Sequence, residues 1–304
     1  MCRQHSRRLQ ILKKGTLLGN IEPADIVGPA PLEPTLSIAP KTISFVWIRP
    51  TTVQPTDESK EMTTEQVIEN IVKSLPTELT DCKRQQVRRL IERDQSIFSK
   101  SEYDTERTPL LEYHIDTGSY RPIRQPLRQH PFKHLEISDR QVDEMEHHGI
   151  IEPTASPWAS NVVLVRKKDG SLRFCVGYRR LNAIMYKDSY PLPLIDNCLN
   201  ALAGTSWFST LDLRSGYYNI PIADEDREKS AFITRKGCHL FTVMPFGLTC
   251  APSVFQRLMD FVLAGLSYVT CLVYLDDIII FGRTFEEQFS RKNCSVGSSR
   301  LTLS

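Results

Sequence analysis

The sequence predicts an α+β fold, strands and amphipathic helices mixed without a regular βαβ repeat. Two observations predict it. Apolar residues recur at helical spacing in four separate segments, and from Trp158 onward short strand-like apolar runs appear between turn signals. A third supports it: Asp169-Gly170, a favourable hairpin-turn pair, separates two such runs.

Taken in order, residues 1–80 read as a largely extended linker. Prolines crowd between Pro23 and Pro55, and proline fixes φ and removes a backbone donor. From Thr64 the pattern changes, and TEQVIENIVKSL places Val67, Ile68, Ile71, Val72 and Leu75 on one helical face. A second helix is predicted in CKRQQVRRLIERDQSIF, through Val87, Leu90, Ile91 and Ile97. A third lies in HLEISDRQVDEMEHHGII and stops at Gly149. NVVLVRKKDGSLRFCVGY reads as a hairpin, and WFSTLDL, KSAFIT, CHLFTVM and CLVYLDDIIIF read as further strands. APSVFQRLMDFVLAGL reads as a buried helix with Val254, Phe255, Leu258, Met259, Val262 and Leu263 inward.

The 304 residues contain 40% hydrophobic and 24% charged side chains, enough apolar material for a sizeable core. No run approaches the length of a membrane span, and the basic segment MCRQHSRRLQILKKG lacks a secretory signal's apolar block. The eight cysteines form no C-x-x-C pair, which disfavours both a zinc site and a disulfide framework and suits an intracellular, reducing compartment. Net charge is only +2, yet residues 161–187 alone carry +6. Basicity concentrated on a hairpin suits phosphate oxygens.

The most informative segment is Val273-Tyr274-Leu275-Asp276-Asp277-Ile278, two acids between apolar strand runs. Carboxylates beside a core are unfavourable unless something neutralises them. A surface hairpin turn is the plain reading. The functional alternative is a cation site, since oxygen ligands suit Mg²⁺. Asp212 also ends an apolar run, just before a glycine and two aromatics. Three such acids could hold two Mg²⁺ ions about 4 Å apart, as in two-metal phosphoryl chemistry.

The ordered series VVLVRKKDGSLRFCVGYRRLN, PLPLIDNCLNALAGTSWFSTLDLRSGYYNIPI, KSAFIT, FTVMPFGLTCAPSVFQ and VYLDDIIIF resembles the reverse transcriptase of gypsy-type LTR retrotransposons, from about Tyr120 to Glu287. The resemblance implies a right-hand polymerase fold with fingers and palm, and RNA-templated DNA synthesis. It implies that Asp212, Asp276 and Asp277 bind the two Mg²⁺ ions (Mn²⁺ being the alternative) and carry catalysis. Lys167 and Arg173 would grip the incoming triphosphate, and Tyr217 would act as a steric gate against a 2′-hydroxyl. Phe246 and Gly247 would line the nascent base pair, with Arg179, Arg180 and Tyr274 on the nucleic acid.

The implied layout is a linker following a missing protease at 1–80, a helical lead-in at 81–120, fingers at 121–205, palm at 206–288 and a divergent tail at 289–304. Implied partners are an RNA or DNA template with primer, deoxynucleoside triphosphates, and the protease, RNase H and integrase of a parent polyprotein, with no membrane. The implied location is a cytoplasmic virus-like particle and the nucleus. The sequence departs from the family at Gly177, where aspartate is usual, and at Cys250, where asparagine is common. After Glu287, FSRKNCSVGSSRLTLS breaks the pattern, so a truncated copy lacking the thumb is expected. Two rivals remain: a degenerate, inactive nucleic-acid-binding fragment, and an aspartic protease built on the Asp116-Thr117-Gly118 triplet.

Overall fold

The computed structural model describes residues 41–42, 63–76, 79–129, 131–166 and 172–290. The proline-crowded segment apart from residues 41–42, the Asp169-Gly170 turn, Lys167 and the 291–304 tail lie outside the described residues.

A short strand, β1 (Lys41–Thr42), is followed by helix α1 (Thr64–Lys73). A capping box opens α1: the Gln66 amide donates to Thr63 Oγ1 at 3.4 Å, and the Thr63 amide donates to Gln66 Oε1 at 3.0 Å. Val67, Ile68, Ile71 and Leu75 are buried as their spacing predicts, and Val72 is partly so. Helix α2 (Asp81–Arg93) buries Val87, Leu90 and Ile91. Ile97 does not extend it. The Asp94 amide closes the helix on the Leu90 carbonyl, and Gln95–Ile97 form a separate 3-10 turn. The polar Asp94-Gln95-Ser96 step interrupts the apolar face there. The helix pair packs on Phe285 and Trp207, with the Lys83 ammonium 4.6 Å from the Phe285 ring centre.

Helix α3 (Phe132–His147) gives way at Gly149, whose φ of +66° suits a residue without Cβ. Strands β2 (Ile151–Pro153), β3 (Ser160–Arg166) and β4 (Leu172–Val176) follow, then helices α4 (Arg179–Ile184) and α5 (Ile195–Leu202). Strand β5 (Trp207–Asp212) leads through two 3-10 segments to β6 (Phe232–Thr234) and β7 (Gly237–Phe241). Helix α6 (Ala251–Val262) precedes the hairpin β8 (Cys271–Tyr274) and β9 (Asp277–Gly282). KSAFIT is strand only from Phe232. Lys229 donates to the Ile115 carbonyl at 2.7 Å and Ser230 Oγ to the Arg227 carbonyl at 2.6 Å, which holds these residues in the preceding 3-10 turn.

Two sheets result. One is four-stranded in the order β1-β5-β9-β8, and the other five-stranded in the order β2-β7-β6-β3-β4. Strands β6 and β7 return from late in the chain to complete the sheet begun by β2 and β3, with β3 and β6 parallel. A single apolar cluster joins the two sheets and α6, with Tyr113, Tyr178, Phe232 and Phe255 among its largest buried side chains. The buried face of α6 holds Val254, Phe255, Leu258 and Met259, while Leu263 is buried just beyond it and Val262 only partly.

Candidate active site

The β5–β9 register places Asp212 directly opposite Asp277. Residues so paired have Cα atoms about 4.5–5.5 Å apart and side chains on one face. The Leu213 amide donates to the Asp276 carbonyl at 2.9 Å. The backbones of the three aspartates therefore meet at one end of the four-stranded sheet, although Asp212 and Asp276 stand 64 residues apart. Asp212 and Asp276 are half-buried and Asp277 is exposed. Tyr274 faces Asp277 from the end of β8, so Leu275 and Asp276 form a two-residue turn. Leu275 occupies the left-handed region at φ +55°.

Beyond Asp212, Leu213 is buried and Ser215 turns the chain at φ +52°. Gly216 sits hard against α6: a Cβ there would lie 2.8 Å from Phe255 Cζ. This close approach lets Tyr217 stack on Phe246, with ring centres 5.0 Å apart and planes 24° apart, and tilt against Phe255 at 5.1 Å. Burial, and then the nearby Asp276 carboxylate, push the Tyr217 hydroxyl pKa well up, so the phenol stays protonated.

The loop carrying Phe246 and Gly247 is held by a residue whose role sequence reasoning missed. Asn182 Nδ2 donates to the Gly247 carbonyl at 2.9 Å, and its Oδ1 accepts from the Thr249 amide at 3.0 Å. The signal was present as the last residue of FCVGYRRLN. Gly247 has φ +99°, and a Cβ would meet the Val176 carbonyl oxygen at 3.3 Å. Phe246 is 43% exposed beside the buried Tyr217.

Both departures from the family pattern have local consequences. Cys250, the residue just before α6, is buried, accepts from the Asp188 amide at 3.4 Å and donates to the Tyr186 carbonyl at 3.5 Å, so the thiol ties the start of α6 to the 186–188 segment after α4. The Gly177 amide donates to the Asn161 carbonyl at 2.8 Å, and a Cβ there would stand 3.3 Å from that oxygen. Glycine therefore fits with less crowding than a larger residue would.

Arg173 is exposed in mid-β4 opposite Val165, while its neighbour Phe174 packs inward on Phe232 at 5.6 Å. Arg179 and Arg180 are exposed at the start of α4. Asp116 is exposed and closes a local turn, accepting from the Gly118 amide at 2.9 Å with Gly118 at φ +55°. That arrangement is an Asx turn and gives the protease reading no support.

Among the described residues, ligand atoms within 4.8 Å of one another are those of His114, Glu225 and Asp226. Asp226 there accepts from Lys229 at 2.6 Å and from the Ile115 amide at 3.0 Å, which makes it a structural clasp. The three aspartates at the sheet end offer a different chemistry: oxygen donors only, with no imidazole or thiolate in the set, as hard divalent cations require. No candidate membrane-crossing helix exists among the described residues.

Residues 165–298 match the family "Reverse transcriptase (RNA-dependent DNA polymerase)". The chain is 37% identical over 177 residues to the retrovirus-related Pol polyprotein from transposon opus of Drosophila melanogaster, a stretch covering 57% of this chain and 18% of that polyprotein. It is 40% identical over 149 residues to the Pol polyprotein from transposon gypsy of the same organism, covering 47% of this chain and 14% of that one. The chain thus spans less than a fifth of these relatives. The foamy viral protease-reverse transcriptase in complex with an RNA/DNA hybrid shares the fold at a TM-score of 0.70, with 19% identity over 80% of this chain and 33% of that one. An RNA-directed DNA polymerase homolog of Oenothera berteroana is 44% identical over 111 residues, covering 36% of this chain and 78% of that protein. With that relative 44% identical and matched over more than three quarters of its length, the chain belongs to the reverse transcriptase family.

Proposed function

We propose that this chain is the polymerase segment of a retrotransposon Pol polyprotein and acts as an RNA-directed DNA polymerase, adding deoxynucleotides to a primer 3′-hydroxyl. The observation that carries the reading is the register that sets Asp212 opposite Asp277, with Asp276 tied to Leu213. Asp212, Asp276 and Asp277 would hold two Mg²⁺ ions, with Mn²⁺ as a substitute. When bound, the ions supply charge neutralisation at the attacking and leaving oxygens of an in-line displacement.

The remaining roles belong to the protein. Tyr217 packs against Phe246 and Phe255, and its ring would serve as the gate that excludes a ribose 2′-hydroxyl. The Phe246-Gly247 loop borders the nascent pair, and Asn182 fixes its height. Lys167 and Arg173 neutralise the triphosphate, and Arg179, Arg180 and Tyr274 contact template or primer. Residues 121–205 and 206–288 serve as fingers and palm, although β6 and β7 of the second interval complete the sheet of the first.

The test replaces the matching segment of the transposon opus polyprotein with this chain and measures deoxynucleotide incorporation on an RNA template with a DNA primer. Mg²⁺-dependent extension that disappears with Asp276→Asn is the expected result. Extension that survives that substitution removes Asp276 from the site.

A further inference from the structure

We propose that Gln256 is a positioning residue for the turn that carries Asp276, acting together with Asp260 and Tyr190. This inference deepens the metal-carboxylate reading above and rests on it. Gln256 lies on α6 and is 0% exposed, among the side chains of an otherwise apolar helix face. A carboxamide in such a place is costly unless its donors and acceptor are filled. Its oxygen accepts from the Leu275 amide at 3.0 Å, and its nitrogen donates to Asp260 Oδ1 at 3.0 Å. Asp260 follows one helical turn later and so shares the face. Its other oxygen accepts from the Tyr190 hydroxyl at 2.7 Å.

The chain of bonds is directional. Asp260 can only accept in its charged form, so the Gln256 nitrogen must face it and the oxygen must face the turn. Tyr190 is itself clamped, because Arg257 stands 5.0 Å from its ring centre while pairing with both oxygens of Asp188 at 2.8 and 2.6 Å. The far end of the relay is therefore fixed to the loop that Cys250 also holds. The near end meets the turn at Leu275, a non-glycine residue at φ +55° immediately before Asp276. A left-handed conformation in such a residue persists only where its surroundings hold it. The Gln256 oxygen supplies that hold from beneath.

The experiment uses the full 304-residue chain. Amide exchange of the turn peptide is followed in metal-free protein, and Mn²⁺ binding is followed by the loss of the free-ion electron paramagnetic resonance signal. Gln256→Met keeps the volume but removes both bonds; it is expected to speed exchange and weaken Mn²⁺ binding by about tenfold each. Gln256→Glu alone sets two carboxylates against each other and is expected to do the same. Combining Gln256→Glu with Asp260→Asn reverses donor and acceptor along the relay, leaves the bonds to Leu275 and Tyr190 available, and is expected to restore both readings. A merely space-filling role predicts no such rescue. Unchanged exchange in Gln256→Met, or a double variant no better than Gln256→Glu, overturns the proposal. Wild-type protein that binds no Mn²⁺ while the exchange pattern holds refutes the metal reading and leaves the positioning of the turn standing.

Discussion

Gly216→Ala tests how tightly the site is tied to the core. A Cβ at this position would stand 2.8 Å from Phe255 Cζ and 3.2 Å from Leu213 Cβ, both closer than ordinary contact. Phe255 is 1% exposed and packs against Tyr217 at 5.1 Å, so its ring has no free direction in which to turn. Overpacking of this kind costs about 1–3 kcal/mol. For a chain of this size each kcal/mol lowers Tm by about 2–4 °C, so a central cost of about 2 kcal/mol lowers it by about 4–8 °C. Thermal unfolding followed by far-UV circular dichroism measures it. Phe255→Leu alone also destabilises, by leaving a cavity, but in combination it gives the added methyl room. The double variant should therefore be more stable than the sum of the single losses by about 1 kcal/mol. A Gly216→Ala midpoint within about 1 °C of wild type, or strict additivity in the cycle, would refute this account of the contact between Gly216 and α6.

Asp276→Asn should weaken Mn²⁺ binding by the 304-residue chain while leaving primer–template binding nearly unchanged, because the latter rests on basic side chains; fluorescence anisotropy at fixed salt separates the two. That nucleic-acid binding should be weak at physiological salt and fall steeply as salt rises, and Arg179→Ala with Arg180→Ala should flatten the log–log slope by about 1–2. Tyr113, Tyr178, Tyr217 and Tyr218 are all buried with hydroxyl pKa values raised chiefly by burial. The folded values lie above the unfolded value of about 10, so the stability these phenols contribute is intact below that pH and is lost as pH rises beyond it. Phenolate absorbance from them should appear together with loss of the circular dichroism signal; their ionisation near pH 10 in a still-folded chain would contradict their burial.

What was legible in the sequence was local. The 3.6-residue spacing of Val67, Ile68, Ile71 and Leu75 specified α1, and Gly149 marked the end of α3, because both depend on neighbours within one turn. The Asp276 turn could be seen because apolar strand runs on both sides isolate the acids. Ile97 was misread because helical spacing alone does not register the polar break at Asp94. The strand start at Phe232 depends on Lys229 reaching the Ile115 carbonyl, a contact 114 residues away in the chain. The parallel β3–β6 pairing is equally non-local. Gln256 looked like one polar residue in a buried helix, and its meaning emerges only when Leu275 and Tyr190 are brought to either end of it. Helix α5 was equally legible, since Ile195, Cys198, Leu199 and Leu202 recur at helical spacing, and the prolines just before it at 191 and 193 hid the short stripe although none of its residues ends up buried.

The most direct test of the central claim is anomalous diffraction from crystals of this chain soaked in Mn²⁺. The account predicts manganese peaks in direct contact with carboxylate oxygens of Asp212, Asp276 and Asp277 at the joined ends of β5 and the β8–β9 hairpin. Manganese found only at His114, Glu225 and Asp226, with the three aspartates bare, would contradict it.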